Sequence, residues 1–161
     1  MNITDKGLNL LCVLEGFREH PYDDQTGRPI ANWVRGATVG YGHLIPYQQW
    51  DKYRKGISKE DAQELLRKDL KLFEDNLNRM VKPEDLLPHQ IDALLIFMFN
   101  IGIAGFNRSS VLRIVNGEKL NRTLAASWML WNKSQGKVMR GLERRRKIEI
   151  KLYETGVYDA L

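Results

Sequence analysis

EGFREHPYDDQTGRPIANWVRGATVGYGHL, residues 15–44, decides how the rest of the chain is read. Just upstream, Thr4 or Asp5 offers a helix cap, and Leu8, Leu11, Cys12 and Leu14 recur near helical spacing. A helix therefore runs up to Glu15, where Gly16 weakens its continuation. From Pro21 to Leu44 the texture changes to turn residues (Asp23, Asp24, Gly27, Pro29, Asn32, Gly36) and then to TVGYGHL. That pattern predicts a small antiparallel sheet of two or three short strands. Gly40 and Gly42 leave one side of the last strand bare, as happens where backbone or a ligand comes close. The plain reading is that a helix ends and a hairpin begins. The functional reading is that two carboxylates, Glu15 and Asp24, and the Thr38 hydroxyl are brought to one cleft.

Everything downstream reads as helix. Ser58 with Asp61 three residues on has the form of a capping box. Ala62, Leu65, Leu66, Phe73, Leu77 and Met80 then form the apolar stripe of a long helix that ends before Pro83. PHQIDALLIFMFNIG opens with Pro88 at a helix start and is apolar almost all round, which predicts a buried central helix. Shorter helices are expected at about 109–116, 121–131 and 141–154, with Gly117 and Gly156 as stops. One helix, a small sheet, then helices only is an α+β arrangement. Asp69 lies on the long stripe between Leu66 and Phe73, where an ionised carboxylate is costly unless paired. His43, at the end of the TVGYGH strand, is its expected partner.

Composition narrows the function classes. At 161 residues, 43% hydrophobic and 28% charged, the chain suits one globular domain with its own core. A single cysteine, Cys12, forms no internal disulfide, and its leucine neighbours point to a buried thiol. The N-terminus has no basic segment leading into an apolar one, so no signal peptide is read. The longest apolar run, residues 93–99, is far short of the roughly 20 residues of a membrane span. His20, His43 and His89 are scattered without metal-ligand spacing, so no metal is expected. The net charge is +5, and residues 137–151 alone supply seven basic side chains against Glu143 and Glu149. A patch of that kind attracts polyanions: nucleic acid, anionic lipid or an acidic wall polymer.

Five motifs in order make the pattern specific. The chain reads Glu15-Gly16-Phe17-Arg18, then Tyr22-Asp23-Asp24, then Thr38-Val39-Gly40-Tyr41-Gly42-His43. FNIG at 99–102, GF at 105–106, Ser109 and NG at 116–117 follow, then WN at 131–132, Gly136 and GLERRRKIE at 141–149. In these motifs the chain resembles the phage-type lysozymes, the endolysin muramidases of glycoside hydrolase family 24, over nearly its whole length. The resemblance implies a lysozyme-like α+β fold of residues 1–161. An N-terminal helix and a small sheet lobe at about 20–58 would be joined by a long helix to a mainly helical lobe at about 82–161. It also implies hydrolysis of the β-1,4 bond between N-acetylmuramic acid and N-acetylglucosamine in peptidoglycan, without a cofactor. Glu15 would be the general acid, while Asp24 and Thr38 would position water and stabilise charge. Leu44, Phe99, Asn100 and Ser109 would contact the glycan. Residues 25–37 form a longer stretch between aspartate and threonine than many members carry. Thr26 therefore competes with Thr38 by proximity, and Thr38 is preferred because it directly precedes the Gly-Tyr-Gly-His strand.

The residue types suit that chemistry. Breaking a glycosidic bond needs a proton for the leaving oxygen, stabilisation of oxocarbenium-like charge, and an activated water or a nucleophile. A carboxyl at a helix C-terminus with apolar neighbours favours its protonated form, which suits Glu15 as the acid. Asp24, in a turn, suits a solvated and ionised carboxylate. Three rivals remain open at this stage. One is a lytic transglycosylase on the same glycan, which retention of both Asp24 and Thr38 argues against. The others are a nucleic-acid module built on residues 137–151, which leaves Glu15, Asp24 and TVGYGH without a role, and membrane disruption by the same cationic helix, which is compatible with catalysis. The preferred reading has no nucleic-acid partner: a monomer held in the host cytoplasm until a holin lets it reach the periplasm and wall. Its basic helix 137–151 would meet anionic wall polymer or outer-membrane lipid.

Overall fold

The computed structural model describes residues 1–160. The chain forms two compact units, Cys12–Lys71 and the remainder, Met1–Leu11 with the chain from Leu72 onward. The smaller unit is thus wider than the 20–58 lobe expected, because two helices each start in one unit and end in the other. These are α1 (Asp5–Glu15) and α3 (Lys59–Met80).

In the smaller unit, β1 (Arg18–Asp23), β2 (Ala37–Gly40) and β3 (His43–Leu44) form one antiparallel sheet in that order. The sheet begins at Arg18, earlier than the sequence suggested, with an irregularity between Arg18 and Tyr22. Its core is Ala37, Val39, Ile45 and Tyr53, with Ile30, Trp33, Trp50, Ile57 and Leu65 packed against it. Residues 25–37 are therefore part of the packing rather than a loose insertion. The Asp23 N–H donates to the Arg28 carbonyl, and Ile30 N–H donates to the Pro21 carbonyl. The stretch so folds back beside β1 and delivers Ile30 and Trp33 to the core. A 3-10 turn at Tyr47–Gln49 and the short α2 (Trp50–Tyr53) follow the sheet, neither of them expected. Ser58 Oγ accepts from Asp61 N–H and opens α3.

The expected ion pair is present. His43 Nδ1 lies 2.8 Å from Asp69 Oδ2, tying β3 to α3, and His43 Nε2 meets Gln49 Oε1 at 3.2 Å. Burial alone lowers the His43 pKa; the hydrogen bond and charge of Asp69, with help from Gln49, outweigh it and raise it above its ordinary value. The stabilisation this brings is complete below the unfolded pKa of about 6.5 and is lost as pH rises through the folded one. Asp69→Asn is therefore expected to cost more at about pH 5.5, about 1.5–3 kcal/mol, than at about pH 9. Thermal melts at the two pH values check this; equal losses at both would rule out a charged pair.

In the larger unit, Thr4 caps α1: its Oγ1 accepts from Gly7 N–H. Asp92, fully buried, accepts from the Thr4 N–H and from the Tyr158 hydroxyl. Helix α4 (Pro88–Ile101) is buried without a break from Asp92 to Met98, as its all-round apolar sequence predicts. It is followed by α5 (Ile103–Asn107), α6 (Ser110–Val115), α7 (Leu124–Met129), a two-stranded hairpin of β4 (Lys133–Ser134) and β5 (Lys137–Val138), and α8 (Arg140–Thr155). Helix α7 is shorter than the expected 121–131 because Thr123, whose Oγ1 accepts from Ala126 N–H, is its cap.

The basic helix requires a correction. Residues 137–151 do not present all their charge to solvent: Arg145, Arg146 and Glu149 are buried. Arg145 Nε and Arg146 Nε lie 3.2 Å and 2.9 Å from the Glu149 carboxylate, which also accepts from Trp128 Nε1 at 3.0 Å. The surface patch is thus carried by Lys137, Arg140, Arg144, Lys147 and the half-buried Lys151.

Candidate active site

Glu15 closes α1. The Gly16 N–H donates to the Cys12 carbonyl, and a positive φ of 73° at Gly16 turns the chain straight into β1. The helix thus holds the Glu15 carboxyl at its negative end. One oxygen, Oε1, is shielded from solvent. The other faces the turn between β2 and β3: a Cβ added at Gly42 would stand 3.8 Å from Glu15 Oε2. The second glycine of the pair, Gly40, meets the start of α3 instead, where a Cβ would come within 3.2 Å of the Ala62 Cβ. TVGYGH therefore needs one glycine for close packing, and the other, beside the acid, for its positive φ of 80°. Tyr41 between them is buried, its ring against Phe17 at 5.5 Å.

Asp24 and Thr38 converge on Gly36. Asp24 N–H donates to the Gly36 carbonyl at 3.0 Å, and Thr38 Oγ1 donates to the same oxygen at 2.9 Å. Asp24 Oδ1 lies where a side chain at Gly36 would project, 2.5 Å from an added Cβ, and φ at Gly36 is 98°. Gly36→Ala is therefore expected to displace the Asp24 carboxylate and strain the turn. It should cost about 1 kcal/mol or more of stability and lower activity further than that loss explains. Melting curves and wall-lysis rates measured side by side check this. Thr26, the competing threonine, is exposed, with its hydroxyl accepting from Arg28 N–H.

Tyr22 lies beside this pair, and the sequence alone assigns it no role. It sits directly opposite Thr38 in the β1–β2 register. Burial pushes its phenol pKa up, the Arg18 charge lowers it, and both Glu15 and Asp24 raise it, so one hydroxyl feels both carboxylates. Arg18 lies over its ring at 4.0 Å and donates to the Gly27 carbonyl, which fixes the ring. The signal was in the Tyr-Asp-Asp motif, but the register that sets Tyr22 against Thr38 depends on the irregularity in β1.

The other expected residues are placed as follows. Leu44 is the cross-strand partner of Thr38 and is 59% exposed. Phe99, Asn100 and Ser109 belong to the larger unit. The Phe99 ring packs on Phe73 at 5.1 Å, and exposed Asn100 accepts from Arg146 Nη2 at 2.5 Å. Ser109 is buried and caps α6: its Oγ accepts from Leu112 N–H and donates to the Phe106 carbonyl. Its hydroxyl is thus engaged within the fold. Burial pushes the Cys12 thiol pKa up, against the Tyr41 hydrogen bond and the Lys59 and Arg67 charges. That fits a structural thiol rather than a nucleophile. A surface depression in the smaller unit, lined by Lys52, Asp61, Glu64 and Lys68 among others, contains none of the expected site residues.

The sequence profile of the family described as phage lysozyme matches residues 13–149. The chain is 35% identical over 160 residues to the endolysin of Bacillus phage B103, covering 97% of this chain and 55% of that one. It therefore spans little more than half the length of that relative. Among solved structures it is similar to the endolysin from Escherichia coli O157:H7 phage FAHEc1, with a TM-score of 0.78 at 27% identity, covering 99% of this chain and 97% of that one. It is also similar to the muramidase domain of SpmX from Asticaccaulis excentricus, with a TM-score of 0.76 at 33% identity, covering 96% and 98%. A profile match from the end of α1 to the last turns of α8, and solved structures alike over nearly the full chain, identify it: this chain belongs to the phage lysozyme family.

Proposed function

We propose that this chain is an endo-acting muramidase that hydrolyses the β-1,4 bond between N-acetylmuramic acid and N-acetylglucosamine in peptidoglycan, for lysis of a bacterial host. The observation that carries the reading is that Glu15, at the end of α1, faces the β2–β3 turn, while Asp24 and Thr38 both bond the Gly36 carbonyl beside the same sheet. Glu15 donates its proton to the glycosidic oxygen, and the bond to the anomeric carbon breaks. The Asp24 carboxylate offsets the positive charge that develops on the sugar ring and accepts a hydrogen bond from the attacking water. Thr38 has its proton committed to the Gly36 carbonyl, so its hydroxyl offers lone pairs to the second hydrogen of that water. The water's oxygen bonds to the anomeric carbon, and its departing proton passes to Asp24. Leu44, exposed and paired with Thr38 across the strands, contacts the glycan.

The partner is the wall polymer, and the enzyme reaches it through a holin lesion from the host cytoplasm. The exposed cations Lys137, Arg140, Arg144 and Lys147 add long-range attraction to an anionic wall polymer or outer-membrane lipid. Incubation with purified sacculi tests the reading. Turbidity should fall while new reducing termini appear on muramic acid; sacculi that stay intact, or that clear without new reducing termini, contradict it.

A further inference from the structure

The Asn-Gly step at 116–117 takes no part in the proposed cleavage, yet both of its residues are held in a particular way. Asn116 is the one asparagine in the chain followed by glycine. It ends α6, and Gly117 takes the positive φ of 93° that turns the chain off the helix. Gly117 N–H donates to the Ile114 carbonyl at 2.9 Å, and Glu118 N–H donates to the Arg113 carbonyl at 3.0 Å. The Arg113 guanidinium donates to both Glu118 carboxylate oxygens, at 2.8 Å and 2.6 Å, and braces the turn from outside. The Asn116 side chain is tied at both ends to the chain leaving α3. Its Oδ1 accepts from Lys82 N–H at 2.8 Å, and its Nδ2 donates to the Met80 carbonyl at 2.9 Å. One amide thus clasps the end of α3 to the end of α6.

We propose that Asn116 is a deamidation site that this clasp keeps closed, so that opening the clasp exposes the chain to a one-way chemical change. A glycine nitrogen has no neighbouring Cβ to keep it from the preceding side chain. The Gly117 nitrogen loses its proton to base and bonds to Asn116 Cγ. The side-chain nitrogen takes up a proton and leaves as ammonia. Water then opens the succinimide at either carbonyl, giving aspartate or isoaspartate. In the fold both reacting groups are held, Cγ through the two bonds of its amide and the nitrogen through its bond to Ile114. Ring closure therefore waits on release of these bonds. Reclosing does not undo the change. An ionised aspartate only accepts hydrogen bonds, so it turns an oxygen rather than a donor toward the Met80 carbonyl. Isoaspartate adds a carbon to the main chain within the turn. Either product leaves the end of α3 unclasped.

Peptide mapping by mass spectrometry tests it, on the full chain held side by side in native and guanidinium-unfolded form in the same mildly alkaline buffer. In the unfolded chain Asn116 should convert ahead of every other asparagine. In the native protein its conversion should be at least about tenfold slower, the factor a modest local opening free energy gives. Gly117→Ala should slow the conversion in the unfolded chain, where the strain of that side chain in the folded turn plays no part. Protein converted in denaturant and then refolded should melt about 2–8 °C below its parent, as should Asn116→Asp, for the loss of a carbonyl's partner. Equal rates at Asn116 in native and unfolded protein overturn the clasp. Earlier conversion of another asparagine, or an unchanged rate in Gly117→Ala, overturns the site. A converted protein that regains the parental melting temperature overturns the one-way consequence.

Discussion

Glu15→Gln is expected to fold and melt like its parent while losing about 10²–10⁴-fold in wall-lytic rate, the range a positioned general acid supplies. The amide keeps the size and polarity of the carboxyl but has no acidic proton to give the leaving oxygen. Two features of the fold make the loss specific. The helix end at Gly16 fixes the group at the last residue of α1. Gly42 sets the β2–β3 turn beside its Oε2, 3.8 Å from where a Cβ at that glycine would stand. Circular dichroism melts and sacculus turbidity measured on the same preparation separate a chemical loss from a folding one. A variant that clears sacculi within tenfold of the parental rate would remove Glu15 from the proton-donating role.

Glu149→Gln is expected to have the largest effect on stability. Arg145 and Arg146 stay charged at every accessible pH, and both lie buried against the Glu149 carboxylate. Burial pushes the Glu149 carboxyl pKa up, against the two guanidiniums and the indole N–H of Trp128. Its ionisation is what balances the guanidinium charge. Removing one member of such a buried set leaves uncompensated charge in the core and costs about 3–5 kcal/mol. For a chain of this length that is about 6–20 °C in melting temperature. Lys147→Ala, on an exposed position of the same helix, should change stability by about 0.5 kcal/mol or less. Similar melts for the two variants would mean that the ion cluster does not hold α8 in place.

The two α8 variants also show where sequence reading ran short. A run of arginines, lysines and glutamates is usually a solvated face, and the composition of residues 137–151 points to one. Helical spacing carried the contrary signal: Arg145, Ile148, Glu149 and Leu152 fall at i, i+3, i+4 and i+7, and all four are buried. The charged pair hid an ordinary core stripe. By contrast, α4 was legible because an all-round apolar helix has only the interior to occupy, and the His43–Asp69 pair because a carboxylate on an apolar stripe demands a partner. Within the site, Glu15 and the turn at Asp24 were readable from a helix end followed by turn residues. Tyr22 and Gly36 were not, since their roles come from strand register and from a carboxylate packed against bare backbone. The packing part of 25–37 is masked by the turn residues Gly27, Pro29, Asn32 and Gly36 scattered through it. Ile30 and Trp33, the two that pack on the sheet's core, were the clue to its structural part.

The central claim is that water, positioned by Asp24 and Thr38, completes the cleavage that Glu15 begins. Digestion of purified sacculi in ¹⁸O-labelled water, followed by mass spectrometry of the released fragments, tests it most directly. Hydrolysis places one labelled oxygen on the anomeric carbon of each new muramic acid terminus, and mild borohydride reduction at the outset of work-up preserves it. The result expected is reducing muramic acid ends that carry the label. Fragments ending in unlabelled anhydro-muramic acid would contradict the account, because the sugar's own hydroxyl would then have taken the place of water.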